Sequence, residues 1–196
     1  MSKTFSKWYD FFMSPLEQGK FRTIRKHLLE NARGKVLELG SGTGVNFPFY
    51  RDVTVTAVEP SPFMVARSLK RKEESGVPIE VVQAGAEQLP FADNTFDTVV
   101  ATLVFCTIPN TEAAMEEIKR VCKPNGRILM FEHVKMDQPF LAKLQGVLTP
   151  YWEKICDGCC LDRETHQLVL KKGFRVEETH DYYKSLFKTM ILINEK

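Results

Sequence analysis

The sequence has little net charge and no long apolar run. Its 27 basic and 25 acidic side chains leave a net charge of +2, which is too small to indicate binding to nucleic acid. No apolar stretch is long enough to cross a bilayer, and Lys3, Lys7 and Asp10 interrupt the region where a signal peptide would have its apolar segment. These features favour a globular cytoplasmic protein without a nucleic-acid partner, and they leave the oligomeric state open.

Cysteines are few and odd in number. Five thiols fit a reducing compartment better than a disulfide framework. Cys106 and Cys122 have apolar neighbours and are interpreted as core residues. The segment 156–160 contains a C-x-x-C pair, but a zinc site normally needs a second ligand pair, which the sequence lacks. A local structural role is therefore expected, with a metal or redox role as the alternative, and no metal is predicted.

One stretch joins a buried strand to a glycine-rich turn, Lys35-Val36-Leu37-Glu38-Leu39-Gly40-Ser41-Gly42-Thr43-Gly44. The strand is aliphatic, as in sheets that are covered on both faces. Val45 stands where a dinucleotide fingerprint needs glycine, and the Gly-Lys-Ser/Thr of a P-loop is missing. Glycine lets a ligand approach the backbone closely, and a helix after the turn would aim N–H groups at that ligand. The stretch therefore predicts a cofactor site that binds neither a dinucleotide nor a nucleoside triphosphate.

A second predicted strand, 53–58, ends in Glu59-Pro60. This position is about twenty residues beyond the glycines, where a βαβ nucleotide-binding unit places an acidic side chain on ribose hydroxyls. A carboxylate accepts hydrogen bonds from both hydroxyls of an unphosphorylated ribose and repels a 2′-phosphate. A surface glutamate at a strand end is the alternative, but the glycine turn and Glu59 together favour the ribose.

Further elements are predicted along the same region. The sequence indicates a short helix at 45–50, a helix capped by Ser61, strands at 79–83, 98–104 and 127–134, and a turn at Lys123–Gly126. Ligands of open α/β sheets bind beyond the carboxyl ends of the strands. The end of the fourth strand is therefore expected to face the cofactor.

Several separated motifs resemble the class I S-adenosylmethionine-dependent methyltransferases of the ubiquinone-biosynthesis type. They are the Glu38-x-Gly40-x-Gly42-x-Gly44 turn, the 86–91 loop (Ala-Glu-x-Leu-Pro-Phe) and Asn94-x-Phe96-Asp97. The resemblance implies an α/β, Rossmann-like fold with a seven-stranded, mostly parallel sheet, helices on both faces and a C-terminal antiparallel hairpin. It also implies a single domain over 1–196.

The resemblance implies S-adenosyl-L-methionine as the cofactor. The expected cofactor-binding residues are Glu38, Gly40, Ser41, Gly42, Gly44, Glu59, Pro60, Gly85, Ala86, Glu87, Thr102 and Leu103. Gly85 stands where the family usually has an aspartate that accepts from the adenine amine. Adenine is therefore expected to bind the backbone N–H of Ala86 and apolar groups. The missing aspartate also motivates an alternative, a non-catalytic cofactor-binding or scaffold module.

The second half of the chain resembles the small-molecule thiol methyltransferases of the methyltransferase-like group. The matching segments are 102–106, 131–134, Asp157-Gly158-Cys159 and Leu161-x-Arg163-Glu164. The resemblance implies a small, rather apolar acceptor, namely a thiol, a lipid or a quinone precursor. His133 is the candidate catalytic base, with a structural histidine as the alternative.

Other candidates for the acceptor side are Tyr9, Phe105 and Asp157, with Asp10 as a further weak candidate base. We expect an N-terminal helical cap at 1–31, a cofactor-binding core at 34–134, a helical substrate-side segment at 135–172 and final strands at 173–196. The aromatic N-terminus is interpreted as a flap over the acceptor. Contact with a membrane surface is the less favoured alternative, because the segment has few basic residues.

Overall fold

A seven-stranded sheet forms the centre of the fold in the computed structural model, which describes residues 19–156 and 158–196. The strands are β1 (Lys35–Leu39), β2 (Thr54–Val58), β3 (Ile79–Val82), β4 (Phe96–Thr102), β5 (Cys122–His133), β6 (Arg175–Tyr182) and β7 (Phe187–Ile193). Their order is β3-β2-β1-β4-β5-β7-β6. The first five are parallel, and β7 pairs antiparallel with both β5 and β6. The predicted fold class is confirmed.

Helices cover both faces because neighbouring strand residues are buried on opposite sides. Val36 and Leu37, both fully buried, belong to different core clusters. The helices are α1 (Lys20–Leu29), α2 (Pro62–Glu73), α3 (Thr111–Val121), α4 (Pro139–Ile155) and α5 (Thr165–Lys171). Because β1 lies between β2 and β4, the strand order reverses at β1, and ligands bind at such switch points in open α/β sheets. The glycine turn follows β1 at this point.

Two predicted elements differ from the structure near the switch point. The helix expected at 45–50 is only a 3₁₀ turn, Phe47–Phe49. Strand β4 ends at Thr102, and not at 104, because Leu103 adopts a left-handed backbone with φ of +53°. The chain therefore leaves the sheet earlier than predicted, and residues 103–106 form a turn over the end of β5.

Two smaller expectations are also corrected. Ser61 precedes α2, but its hydroxyl makes no capping hydrogen bond. The predicted turn at Lys123–Gly126 is a bulge inside β5. Cys122 pairs with Phe96 and Arg127 pairs with Thr98, so four residues of β5 stand opposite a single residue of β4.

Apolar side chains along α4 face solvent. Phe140 is 78% exposed, Val147 60% and Ile155 71%, so the described residues leave these three side chains of α4 largely uncovered. Among residues 19–156 and 158–196, no helix is both long and apolar enough to span a bilayer. The aromatic segment with Trp8 and Phe12 lies outside the described residues.

Candidate active site

The glycine turn has three residues with positive φ, which are Gly40 at +56°, Gly42 at +54° and Gly44 at +79°. A Cβ on Gly40 would lie 2.1 Å from Cγ2 of Val104, so the turn packs tightly against the end of β4. A Cβ on Gly42 would meet nothing closer than the Gly40 carbonyl oxygen at 4.0 Å. The turn is therefore packed on one side and open at its middle glycine, where a ligand can approach the backbone.

The open middle of the turn leads to a testable expectation. Gly42→Ala should reduce the free energy of unfolding by about 1–2 kcal/mol, the cost of a left-handed residue with a Cβ. Denaturant unfolding with an unchanged slope would measure the loss. Gly76→Ala is the matched control, because Gly76 has no neighbouring atom within 4 Å and no positive φ. Equal stability of the two variants would contradict the strained turn.

Glu59 is fixed directly beside the turn. Its Oε2 accepts from the Gly42 N–H at 2.9 Å and its Oε1 accepts from the Ser61 N–H at 2.9 Å, and the residue is 3% exposed. Burial raises the pKa of Glu59, although both backbone hydrogen bonds oppose the rise. Each carboxylate oxygen has a further lone pair for a ligand hydroxyl. Pro60, the next residue, is exposed.

A buried polar network lies beneath the turn. Asn46 donates to Oε1 of Glu38 at 2.9 Å, and the Tyr50 hydroxyl donates to its Oε2 at 2.8 Å. Arg25 donates to Oδ1 of Asn46 at 3.0 Å and to the Thr102 hydroxyl at 2.7 Å. Burial raises the pKa of Glu38 to about 7, against the opposing effects of Tyr50, Asn46 and Arg25. The network therefore joins β1, β4 and α1 behind the glycines.

The loop after β3 is held by helix α3. Glu117 accepts from the Leu89 N–H at 2.7 Å, and Arg120 donates to the carbonyls of Leu89 and Phe91. Gly85 is partly buried, and a Cβ there would lie 3.2 Å from a carboxylate oxygen of Glu87. Glu117 and Arg120 thus anchor the end of the loop at Leu89 and Phe91. Gly85, Ala86 and Glu87, which are expected to contact adenine, lie at its other end.

The turn after β4 is organised by Glu132. Oε1 of Glu132 accepts from the N–H groups of Val104 at 3.0 Å and Phe105 at 3.2 Å, while the Leu103 N–H donates to the Phe131 carbonyl at 2.7 Å. Burial raises the pKa of Glu132 to about 7, although these backbone bonds oppose the rise. Phe105, a candidate for the acceptor side, is 0% exposed and belongs to a hydrophobic core cluster.

His133 lies at the end of β5 in contact with two cysteines. Its Nε2 is 3.2 Å from Sγ of Cys159, and the ligand atoms of Cys106, His133 and Cys159 all lie within 4.8 Å of one another. We call these three residues the thiol–imidazole cluster. It stands at the carboxyl ends of β4 and β5, beside the turn that follows Thr102. Cys156, the other cysteine of the C-x-x-C pair with Cys159, is not a member.

The cluster has unusual protonation properties. Hydrogen bonding to Cys106, with help from His133, lowers the pKa of Cys159 to about 5 against the effect of burial. The same contact, and burial, raise the pKa of Cys106. Burial alone would lower the pKa of His133, but Cys159 and Glu132 raise it. The Cys159 sulfur is therefore held as a thiolate beside the imidazole near neutral pH.

Comparison with known proteins identifies the family of this chain. The methyltransferase domain model matches residues 37–130. Phosphatidylethanolamine N-methyltransferase of Cereibacter sphaeroides is 36% identical over 157 residues, which cover 77% of this chain and 76% of the relative. Human thiol S-methyltransferase TMT1B is 33% identical over 178 residues, covering 84% and 73%. The chain belongs to the methyltransferase domain family.

A solved structure agrees with the fold of this methyltransferase. The S-adenosylmethionine-dependent methyltransferase of Aquifex aeolicus superposes with a TM-score of 0.70 at 19% identity, and the match covers 98% of each chain. The family and the fold confirm the predicted enzyme class and its cofactor, S-adenosyl-L-methionine. Nothing in the comparisons favours the non-catalytic module.

The residues of the methyltransferase fit this cofactor. Among the described residues, the buried hydroxyls of Ser41 and Ser61 have no hydrogen-bond partner. Ser41 belongs to the glycine turn, and the Ser61 N–H donates to Glu59, which also accepts from the Gly42 N–H of that turn. Buried polar groups without partners are rare in folded proteins, and these two hydroxyls indicate a polar ligand. The zwitterionic tail and ribose of the cofactor offer the donors and acceptors that these groups need.

Two expected site residues, Glu38 and Thr102, have hydrogen-bond partners inside the protein, and others lie outside the described part of the methyltransferase. Both carboxylate oxygens of Glu38 and the hydroxyl of Thr102 are engaged by the buried network. Tyr9, Asp10 and Asp157 lie outside the described residues. The hydrogen bond from Arg25 to Thr102 was not predicted from the sequence, because 77 positions separate the two residues.

Proposed function

We propose that this methyltransferase transfers the methyl group to a small, rather apolar thiol. The observation that carries the proposal is the contact between His133 Nε2 and the Cys159 sulfur at 3.2 Å, at the carboxyl ends of β4 and β5. A site that already places an imidazole against a sulfur anion suits a thiolate nucleophile. The relative TMT1B is named a thiol S-methyltransferase, which supports the same acceptor class.

For the cofactor, we propose that the backbone of Gly40, Gly42 and Gly44 receives the methionine tail, together with the Ser41 hydroxyl. Glu59 accepts hydrogen bonds from the ribose hydroxyls. The loop at 85–87 lies over adenine, with the Ala86 N–H as its polar contact. Glu38 acts indirectly, because its carboxylate positions Asn46 and Tyr50 behind the glycines.

The chain then has a limited chemical task. The cofactor supplies a methyl group on a sulfonium sulfur, which is already a good leaving group. The protein has to align the acceptor with that methyl group and exclude water. The packed turn at 103–106, held by Glu132, forms a rigid wall on this side. His133 assists the loss of the proton from the acceptor thiol, and the thiolate that results is the nucleophile.

A matched set of acceptors tests the proposal. Propanethiol, propylamine and propanol have the same carbon chain and differ in the nucleophilic atom. With radiolabelled S-adenosylmethionine, we expect transfer to the thiol at more than about 100 times the rate of transfer to the amine, because amines are protonated at pH 7. Faster transfer to the amine would contradict the thiol assignment.

A lipid amine is the second candidate acceptor, and the exposed apolar face of α4 favours it. Phe140, Val147, Tyr151 and Ile155 are each at least 60% exposed on this helix. The Cereibacter sphaeroides relative is named a phosphatidylethanolamine N-methyltransferase. Vesicles containing phosphatidylethanolamine, added to the same radiolabel assay, distinguish this candidate through label that is extracted with the lipid.

Cofactor binding leads to a separate expectation. Glu59→Ala should weaken binding of S-adenosylmethionine by about 1–3 kcal/mol, because a charged hydrogen-bond partner is lost. Calorimetry should then show a dissociation constant about 5- to 150-fold higher. Glu80→Ala, an exposed acidic position on β3, is the control. An unchanged constant for Glu59→Ala would remove this residue from the ribose site.

We also propose the cytoplasm as the compartment of this enzyme. All five cysteines are free, as expected of thiols in a reducing environment.

A further inference from the structure

The thiol–imidazole cluster combines ligand types that bind metal ions. Two thiol sulfurs and one imidazole nitrogen are a donor set of catalytic zinc sites, in which the fourth position takes water or substrate. A tetrahedral zinc site places these atoms about 3.5–3.8 Å apart. Here all three lie within 4.8 Å of one another, and the His133 Nε2–Cys159 Sγ distance is 3.2 Å. Small side-chain adjustments would complete the three-ligand geometry.

The ligands come from three elements that the fold holds together. Cys106 follows β4, where Glu132 fixes the backbone of Val104 and Phe105. His133 ends β5. Cys159 belongs to the segment after α4, and the neighbouring Cys160 N–H donates to the Cys106 carbonyl at 2.9 Å. The cluster is thus a prearranged set and not three flexible surface groups.

The surrounding loop is also anchored. Gln145 donates from Nε2 to the carbonyls of Val134 and Leu161, both at 3.1 Å, and Arg163 donates to the Ile108 carbonyl at 3.1 Å. These bonds join the Cys159 segment to the ends of β4 and β5. A site in which the positions of all ligands are fixed before binding loses little conformational entropy when a metal binds.

A second observation points to a ligand at this place. Oε2 of Glu132, the residue before His133, is buried and has no hydrogen-bond partner among the described residues. His133 is 8% exposed, so solvent has little access to its ring, and the Leu161 backbone lies beside the imidazole. Imidazoles that bind a metal through one nitrogen usually present the other to a polar partner such as a backbone carbonyl.

We propose that Cys106, His133 and Cys159 bind a zinc-class divalent cation, whose fourth coordination position takes the sulfur of the acceptor thiol. The second half of this inference rests on the proposed function. When the thiol coordinates, it releases its proton to solvent. A lone pair of the bound sulfur then forms the new bond to the methyl carbon, and the bond from that carbon to the sulfonium breaks with its electron pair on the departing thioether.

Cobalt(II) is the probe for the metal half of the proposal. The full chain, stripped with a chelator and kept anaerobic without added thiol, is titrated with Co²⁺. We expect one equivalent to produce the visible bands of tetrahedral cobalt and a thiolate-to-cobalt charge-transfer band. Zinc should displace the cobalt and remove these bands.

Variants decide which residues are responsible. Cys106→Ala and Cys159→Ala should each weaken Co²⁺ binding by more than about 100-fold, beyond the loss typical of residues that only support a ligand. Cys156→Ala and Cys160→Ala flank Cys159 and should keep full binding. Calorimetry with the demethylated cofactor verifies that each variant is folded. Absence of the bands in the wild-type chain, or their persistence in the Cys106 and Cys159 variants, would overturn the site.

Propanethiol tests the fourth position. Added to the cobalt-loaded enzyme without S-adenosylmethionine, it should shift the charge-transfer band. An unshifted band in an enzyme that methylates propanethiol would overturn thiol coordination. A cobalt-binding enzyme that neither shifts its band nor methylates any thiol would instead contradict the proposed function, while the metal site itself would stand.

Discussion

His133→Gln is expected to lower kcat/KM for a small thiol by about 10²- to 10⁴-fold, the range typical of losing a group that assists proton loss from a nucleophile. Glutamine has a similar length, but its amide neither binds zinc well nor accepts a proton. Because His133 lies beyond the glycine turn at the end of β5, the affinity for S-adenosylmethionine should change by less than about threefold. Steady-state kinetics together with calorimetry separate the two effects.

His180→Gln is the matched control for this experiment. His180 is an exposed residue of β6, and its ring contacts Glu178 on the same strand. This variant should retain wild-type kinetics. If His133→Gln also retained wild-type kcat/KM, then His133 would be only a structural histidine, the alternative that the sequence leaves open.

Glu38→Gln is expected to change how stability depends on pH. Burial raises the pKa of Glu38 from 4.5 to about 7, so the folded protein holds a proton that the unfolded chain has already lost. The stability contributed by this proton is complete below pH 4.5 and is lost as pH rises to about 7. The wild-type chain should therefore lose about 3 kcal/mol relative to Glu38→Gln across this interval.

The measurement is denaturant unfolding of both proteins between pH 4.5 and 8. The difference between the two curves isolates Glu38, because Glu132, whose pKa is also raised, titrates in both proteins. Glutamine keeps an acceptor for Asn46 and a polar atom toward Tyr50, so the network remains packed. If the free energies of unfolding of the two proteins differed by the same amount at every pH, Glu38 would be ionised in the folded state over the whole range.

Much of the fold follows from local sequence patterns. Lys35–Leu39 carries Val36, Leu37 and Leu39 and forms β1 within the predicted bounds, and the predicted antiparallel hairpin is present as β6 and β7. The errors have local causes that periodicity does not report. The left-handed backbone at Leu103 shortens β4, and the bulge at 123–126 extends β5 back to Cys122. Each depends on how a strand meets its neighbour in the sheet.

The candidate site was partly predictable for a similar reason. The glycine turn and Glu59 are recognisable because a βαβ unit sets their separation, and the structure joins them through the Gly42 N–H. The thiol–imidazole cluster was not predicted. The sequence pairs Cys159 with Cys156 in a C-x-x-C pattern, whereas the fold places it beside Cys106, which follows β4, and His133, which ends β5. No local pattern carries that pairing.

Arg71 shows how a charged surface pattern can conceal a structural contact. It lies in the basic last turn of α2, between Lys70 and Lys72, and it donates to the Thr43 carbonyl at 2.8 Å. The contact fixes the glycine turn from the side of α2. Hydrophobic periodicity places this residue on the polar side of its helix, but the position of the turn relative to the helix depends on tertiary structure.

A crystal structure with the demethylated cofactor tests the central claim most directly, namely that the methyl group and the thiol–imidazole cluster meet at the carboxyl ends of β4 and β5. We expect the ribose against Glu59, the amino-acid tail over Gly42, and the cofactor sulfur facing the cluster across a space that fits a small thiol. A cofactor whose sulfur faces away from Cys106, His133 and Cys159 would contradict the account.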